Sequence, residues 1–345
     1  MKPYETLILS LLLAATSEAA VTVQQYGAMG DGVTNDAPAF QRALQSGQEV
    51  HVPRGTYVLQ GTINLTGGNT LIGENNPILL VGSGPTFAIY SLNDWVTVSG
   101  FRIDGRNQGA DVFLFQPNTY EVRISKCDIT RVHTAFRQGN GAVGEIRTED
   151  IICSATTAPP WYFPSSQGSG IWIIRCANIP LYAGIGSLYF IGYGGINIEN
   201  WDSWAFPQTP KIGGWDFSFF NCYDIKLNTV TMDGLGTGGA LFSNCSNIIG
   251  IGVETWGIFG TGLEFITTQR ASFSSSVLNY GQASGIILYG SSLIAFQGTV
   301  VGNTGLGVVV CAGSTDNTFD ITSAYNGVVD DGTGGKTTTI NGSIN

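Results

Sequence analysis

From Asp94 onward, apolar and polar positions alternate in short runs, and the runs recur along the chain. DWVTVSGFRIDG from Asp94, YEVRISKCDIT from Tyr120 and GEIRTEDIIC from Gly144 align when Val96, Val122, Ile146, Ile225 and Ile248 share one inward position. An alternation of period two reads as half-buried strand. It predicts that Thr97, Arg123, Arg147 and Lys226 point outward. A bend after each strand then turns out Arg102 with Asp104, Asp128 with Thr130, Thr231 with Asp233, and Glu254 with Trp256. Farther along, Cys-x-Asn/Asp-Ile occurs at Cys176, Cys222 and Cys245, and glycines recur at 234, 257, 281, 305 and 327. Val230, Val253, Val277 and Val301 each stand four residues before such a glycine and are expected to form one inward stack.

A repeat of roughly 22 to 24 residues is too long for a hairpin unit and lacks the helical half of a leucine-rich repeat. It fits one turn of a three-sided parallel β-helix. The chain is therefore expected to be all-β: a right-handed single-stranded solenoid of roughly ten coils, about 50 Å long at the spacing of neighbouring strands. Glu121, Glu145 and Asp224 fall just before strands, in the slot assigned to Asn178 and Asn247, where a polar side chain serves its own turn.

The stretch 21–57 differs in pattern. Val21 and Val23 open a short strand, YGAMGDG turns, Asp36 and Pro38 start a helix carrying Phe40, Ala43 and Leu44 on one face, and Gly47 ends it before the strand at Val50–Val52. One amphipathic helix ahead of a coiled β region suits a lid over the open end. The residues YGAxGDGxTND, AFQRAL and VxVPRGTY resemble the entry motif of the pectate-lyase-like, right-handed parallel β-helix superfamily, which includes secreted pectin-degrading enzymes and bacteriophage tailspikes. The combination of Asn-Thr-Asp, Asp-Asp, Gly-His-Gly and Arg-Ile-Lys motifs that marks the polygalacturonase members is missing. The resemblance therefore points to a phage tailspike or tail-fibre protein. Such relatives are homotrimers that bind, and often cleave, bacterial surface polysaccharide; residues 1–20 would then contact phage tail or adaptor proteins. The competing readings are a secreted pectate-lyase-like enzyme and a glycan-binding spike without turnover.

Two places break the repeat, 154–170 and 201–216, and excursions from a rigid solenoid are where function is grafted. They carry Trp161, Tyr162, Phe163, Trp201, Trp204, Phe206 and Trp215, whose faces suit the apolar C–H edges of sugar rings or else pack on one another. Trp161, Tyr162, Trp201, Trp204 and Trp215, with Arg147, are the candidate substrate-binding residues. Glycosidic hydrolysis needs paired carboxylates, and Asp202, Asp216, Glu199 and Glu149 are the candidates, with Asp150 close by. An eliminating lyase would instead use Arg147 or Lys211 as base.

Composition narrows the classes. A net charge of −10 opposes nucleic acid and anionic membranes as partners, and 48 glycines with only 12% charged residues fit a solenoid. Neither a cofactor nor a metal is expected: His51 alternates within a strand and His133 lies in a turn region, so a His-centred metal site or a Ser-His-Asp triad does not fit. Cys153, Cys176, Cys222 and Cys245 follow one another at one, two and one repeat lengths, and are expected to form one buried ladder of reduced thiols. In residues 1–20, Lys2 and the apolar run Leu7–Ala15 read either as a secretory signal or as a retained helix with Leu7, Leu11 and Ala14 on one face. The run is too short to span a bilayer. The resulting scheme is an N-terminal apolar segment (1–20), an entry cap (21–57) and the β-helix (58–345), in a virion or, alternatively, secreted.

Overall fold

A computed structural model describes residues 20–165, 168–179, 186–204, 214–233, 238–279, 281–324, 328–330 and 339–341. The expected N-terminal helix, Phe206, Lys211, Gly234 and Gly327 lie outside them. Among the described residues the strands pair in parallel and build two sheets, of 19 and 12 strands, wound as a right-handed solenoid around one apolar core. No helix there is long and apolar enough to cross a membrane.

The inward column predicted from alternation is continuous. Val96, Val122, Ile146, Ile171, Ile196, Ile225, Ile248, Ala271 and Ile294 stand opposite one another from coil to coil, and all are buried. The larger sheet includes long strands, Val143–Ser154 and Tyr193–Trp204 among them, each bent at single residues of positive φ. Glu121, Glu145, Asp224 and Asn247 occupy one such corner, with φ between 50° and 60°, so they do sit at a turn, but the Asp224 carboxylate accepts from Asn247 of the next coil and not from its own turn. Asn178 belongs elsewhere: it pairs with Ser203 in the interior and is buried. One left-handed residue turns the strand without a loop, because Asn and Asp tolerate this conformation better than most side chains.

The smaller sheet stacks aromatic rings. Phe87, Phe113 and Phe136 lie nearly parallel with centroids 5.3 and 5.5 Å apart, and Trp161 follows at 5.0 Å. Trp161–Phe163 is thus a regular strand of this sheet, opposite Phe136–Arg137 and Leu188–Phe190. The excursion expected over 154–170 therefore returns to the coil at Trp161, and Trp201 through Trp204 end a long strand of the other sheet. Residues 205–213, next along the chain, lie outside the described part.

At the N-terminal end, helix Ala37–Leu44 buries Phe40, Ala43 and Leu44 beneath the first coils. Asp36 occupies its N-cap, yet its buried carboxylate does not cap the helix. It accepts hydrogen bonds from the backbone N–H groups of Met29 (2.7 Å) and Gly30 (3.2 Å), tying the GDG loop to the helix start.

Two stacks differ in part from expectation: unequal coils explain the thiols, and a step one residue longer than the register explains the valines after Val253. Cys153 faces Ile129 and Asn178, Cys127 faces Ile151, and Cys222 and Cys245 belong to a third column with Thr268, Ser291 and Ser314. The step from Cys222 to Cys245 equals one coil of the C-terminal half, where Ile225 stands opposite Ile248. The coil from Ile171 to Ile196 is longer, and that from Ile196 to Ile225 is longer still, so Cys153, Cys176 and Cys222 fall out of register. Likewise Val253 is followed inward by Ser276, not Val277, which stands opposite the outward Glu254; Val300, not Val301, is buried.

Candidate functional site

On the larger sheet, the outward row Arg147, Trp172, Asn197, Lys226 runs beside the row Glu149, Ile174, Glu199, Asn228. Glu149 is bonded by Arg175 and by Arg147 Nε at 3.2 Å, and Arg175 Nε also donates to Asp150 at 2.7 Å. Partial burial acts to raise the Glu149 pKa, but the Arg175 bond and the two guanidinium charges outweigh it and hold the carboxyl below its ordinary value. A carboxylate held ionised in this way is a poor proton donor. Glu199 accepts from Asn197 Nδ2 at 2.7 Å. Glu149, an expected catalytic carboxylate, is thus not poised as an acid here.

Asp216 sits at the other extreme. It points into the coil, fully buried, where Ser203 Oγ donates to one oxygen and the other has no partner. Burial pushes its pKa up to about 6. Substrate outside the solenoid cannot reach it, so its expected catalytic role does not follow. The same holds for Trp161 and Trp201. Trp161 is wholly buried and donates from Nε1 to Thr148 Oγ1 at 3.1 Å; Trp201 packs edge-on against it and against Phe217. Both rings are core members with no face to offer a sugar.

Asp202 and Trp204 do face outward, at the end of the same strand. Register places Asp202, Thr231 and Glu254 in one outward row, and Trp204, Asp233 and Trp256 in the next. Asp233 therefore stands between two half-exposed indoles, with Asp202 and Glu254 beside it. Trp256 Nε1 donates to Glu254 Oε2 at 3.3 Å, which holds that carboxylate beside the ring. The Asp202 pKa is raised, first by burial and then by the charge of Asp233. A carboxyl of raised pKa next to other carboxylates and flat apolar rings is the donor set for acid-assisted glycoside cleavage. Alternation alone places Asp233, Glu254 and Trp256 only on the outward face. Their alignment with Asp202 and Trp204 crosses the extended coil between Ile196 and Ile225, which no constant period could bridge.

Around the corner, the smaller sheet presents a groove of about 570 Å³ lined by His133, Arg137, Tyr162, Leu188, Tyr189, Trp215 and Ser218, among others. Arg137, Tyr162, Tyr189 and Ser218 are successive outward residues of adjacent strands, and the two tyrosine rings lie 5.2 Å apart. Tyr162 and Trp215, both named from sequence, line this one groove, while Tyr189, His133 and Arg137 were missed. Their signal was alternation with buried Phe136 and Phe190. Beneath them Asp111 accepts from Arg137 (2.6 Å), His133 Nδ1 (2.8 Å) and Thr134 Oγ1 (3.0 Å). Burial acts to raise Asp111, and the bonds from His133, Arg137 and Thr134 outweigh it, so its pKa is lowered. Asp111 fixes the groove's cationic end. Among the described residues, no three His, Cys, Asp or Glu side chains gather as metal ligands would.

Residues 20–201, more than half of the chain, match the family model described as rhamnogalacturonase A/epimerase, pectate lyase-like. Relatives include the preneck appendage protein of Bacillus phage PZA and the pre-neck appendage protein of Bacillus phage phi29. Each is 36% identical over 176 residues, 45% of this chain and 20% of the relative. The chain thus spans about a fifth of the length of those relatives. Among solved structures, the Streptococcus pneumoniae surface protein and adhesin PfbA has a TM-score of 0.59 at 13% identity, covering 95% of this chain and 100% of that one, a likeness in fold. The motif, the parallel solenoid and the family match agree: this chain is a pectate-lyase-like parallel β-helix and belongs to the rhamnogalacturonase A/epimerase, pectate lyase-like family.

Proposed function

We propose that this chain is the carbohydrate-engaging β-helix of a phage appendage, part of the virion, which binds a bacterial surface polysaccharide and hydrolyses it. The observation that carries the reading is the corner where Asp233 lies between Trp204 and Trp256 with Asp202 and Glu254 alongside. A sugar ring stacks on the indoles. Asp202, whose raised pKa keeps more of the acid form, protonates the glycosidic oxygen, and Glu254 activates the attacking water. Asp202 and Glu254 are two strands apart, about 10 Å between backbones. That separation leaves room for water between the carboxyl groups and favours inversion. The Tyr162–Tyr189–Trp215 groove holds the chain on the far side of the corner.

The two Bacillus phage appendage relatives support the virion setting. On the same reading the appendage is a homotrimer joined to phage tail or adaptor proteins through residues 1–20, and no cofactor takes part. The test is incubation of the purified protein with host envelope polysaccharide, following chain length by size-exclusion chromatography and the product anomer by proton NMR. Shortening that falls by about 10²-fold or more in Asp202→Asn and in Glu254→Gln is expected. Shortening that survives both substitutions removes the site. Unsaturated products would make the reaction an elimination, and retention of a bound but uncut polymer would make the chain a binding spike.

A further inference from the structure

One corner of the solenoid is turned, coil after coil, by residues that carry side chains at positive φ: Glu121, Glu145, Asp224, Asn247 and Arg270, all between 50° and 60°. In the middle of this column stand Gly170 and Gly195. The backbone does not require glycine there, since its neighbours on both sides adopt the same conformation with side chains. The two glycines remove bulk instead. At Gly195 this leaves a recess of about 450 Å³, bordered also by Trp172, Asn197, Asp224, Lys226 and Asn247.

The lining is specific. A Cβ on Gly170 would come 3.1 Å from the Trp172 ring, so the indole lies against Gly170 at the cleared corner. Along the same outward row follow Asn197 and Lys226, whose ammonium has no ion-pair partner among the described residues, and beside Lys226 at the corner is the Asp224 carboxylate, held by Asn247 Nδ2 at 3.0 Å. An indole that shares a recess with a carboxylate, amides and an ammonium matches a pyranose ring, which needs a flat apolar surface and hydrogen-bonding groups for its hydroxyls. We infer that this recess is a second carbohydrate site, which takes one pyranose unit on Trp172 and is distinct from the corner carrying Asp202. It goes beyond the proposed function, because it anchors polymer without cutting it and lets one molecule hold a polysaccharide at two points.

Gly195→Asn tests this cleanly. A Cβ at Gly195 meets only Gly170, its N at 3.4 Å, and Asn247 already shows that asparagine accepts this corner, so the variant folds while its side chain fills the recess. The full chain is titrated with a mixture of glucose, galactose, mannose, N-acetylglucosamine and glucuronic acid. The indole N–H resonance of Trp172, assigned with Trp172→Phe, is followed by NMR. The signal should shift in the parent protein and in Asp202→Asn, and roughly tenfold or more weaker binding is expected in Gly195→Asn, as when a tryptophan anchor is lost. Three results overturn the inference: no shift with any of these sugars, an equal shift in Gly195→Asn, or a change in molar mass by light scattering for Gly195→Asn, which would mean that a second copy of the chain occupies the recess. Because Asp202→Asn is read separately, failure here and failure of the cleavage site are distinguishable.

Discussion

Trp161 and Trp201, from strands of different sheets, meet edge to face inside the coil with centroids 5.1 Å apart and planes at 76°. Aromatic pairs favour this geometry, and both rings are closed off from solvent. Trp201→Ala should therefore cost about 3–5 kcal/mol of stability, the usual range for deleting a buried large ring. Denaturant unfolding measures it. Unchanged stability with lost glycan binding would return Trp201 to the surface role that its sequence suggested.

Trp204 and Trp256 should behave oppositely. Half-exposed on either side of Asp233, they can be truncated singly with little effect on unfolding, and each should weaken polysaccharide binding several-fold. Isothermal titration on Trp204→Ala and Trp256→Ala, beside their melting curves, separates the two quantities. Equal losses in both measurements would make these rings structural.

Asp216 gives the fold a pH dependence of definite sign. Its folded pKa, about 6, lies above the ordinary 3.8, so between these values the folded state binds the extra proton. Stability is then greatest below about pH 4 as far as this group is concerned, and falls as pH rises toward 6, by about 3 kcal/mol in all. Asp216→Asn should remove that fall and leave cleavage intact. A variant whose stability keeps the parent slope over this range refutes the assignment.

Asp111 carries the opposite sign. Its pKa is lowered in the folded state, so its bonds to Arg137, His133 and Thr134 contribute above the ordinary aspartate pKa and are lost as pH falls through the folded value. Asp111→Asn should flatten the acid limb of the stability profile. It should also weaken glycan binding in the tyrosine groove, since Arg137 and His133 lose the group that positions them. A melting series between pH 2 and 6, with binding measured at neutral pH, checks both; binding unchanged in Asp111→Asn would show that the groove does not depend on this anchor.

Much of the fold was legible because strand alternation is local. The inward column from Val96 to Ile248 needs only a period of two and a coil repeat, and both are written in the side chains. The thiol ladder failed where coils differ in length, while the valine stack held from Val230 to Val253 and failed beyond it through a one-residue offset. A constant period cannot register coils of unequal length, such as Ile171 to Ile196, Ile196 to Ile225 and Ile225 to Ile248, and a one-residue error exchanges inside and outside.

Site residues divide the same way. Trp161 and Trp204 look alike in sequence, each in an aromatic run near prolines; Trp161 falls on an inward phase of the smaller sheet and Trp204 on an outward phase of the larger. Asp202 and Asp216 are likewise both flanked by aromatics, yet one faces solvent and the other the core.

By itself, then, the order of residues determined the parallel solenoid and the outward identity of Asp233, Glu254 and Trp256, because each depends on neighbours within one coil. Only the tertiary structure decided which coils lie side by side. It brought Asp202 and Trp204 to Asp233 across the extended Ile196–Ile225 coil, set Arg137 and His133 on Asp111, and opened a recess at Gly195. Those contacts run along the solenoid axis, where proximity depends on the length of each intervening coil and not on any residue's own preference.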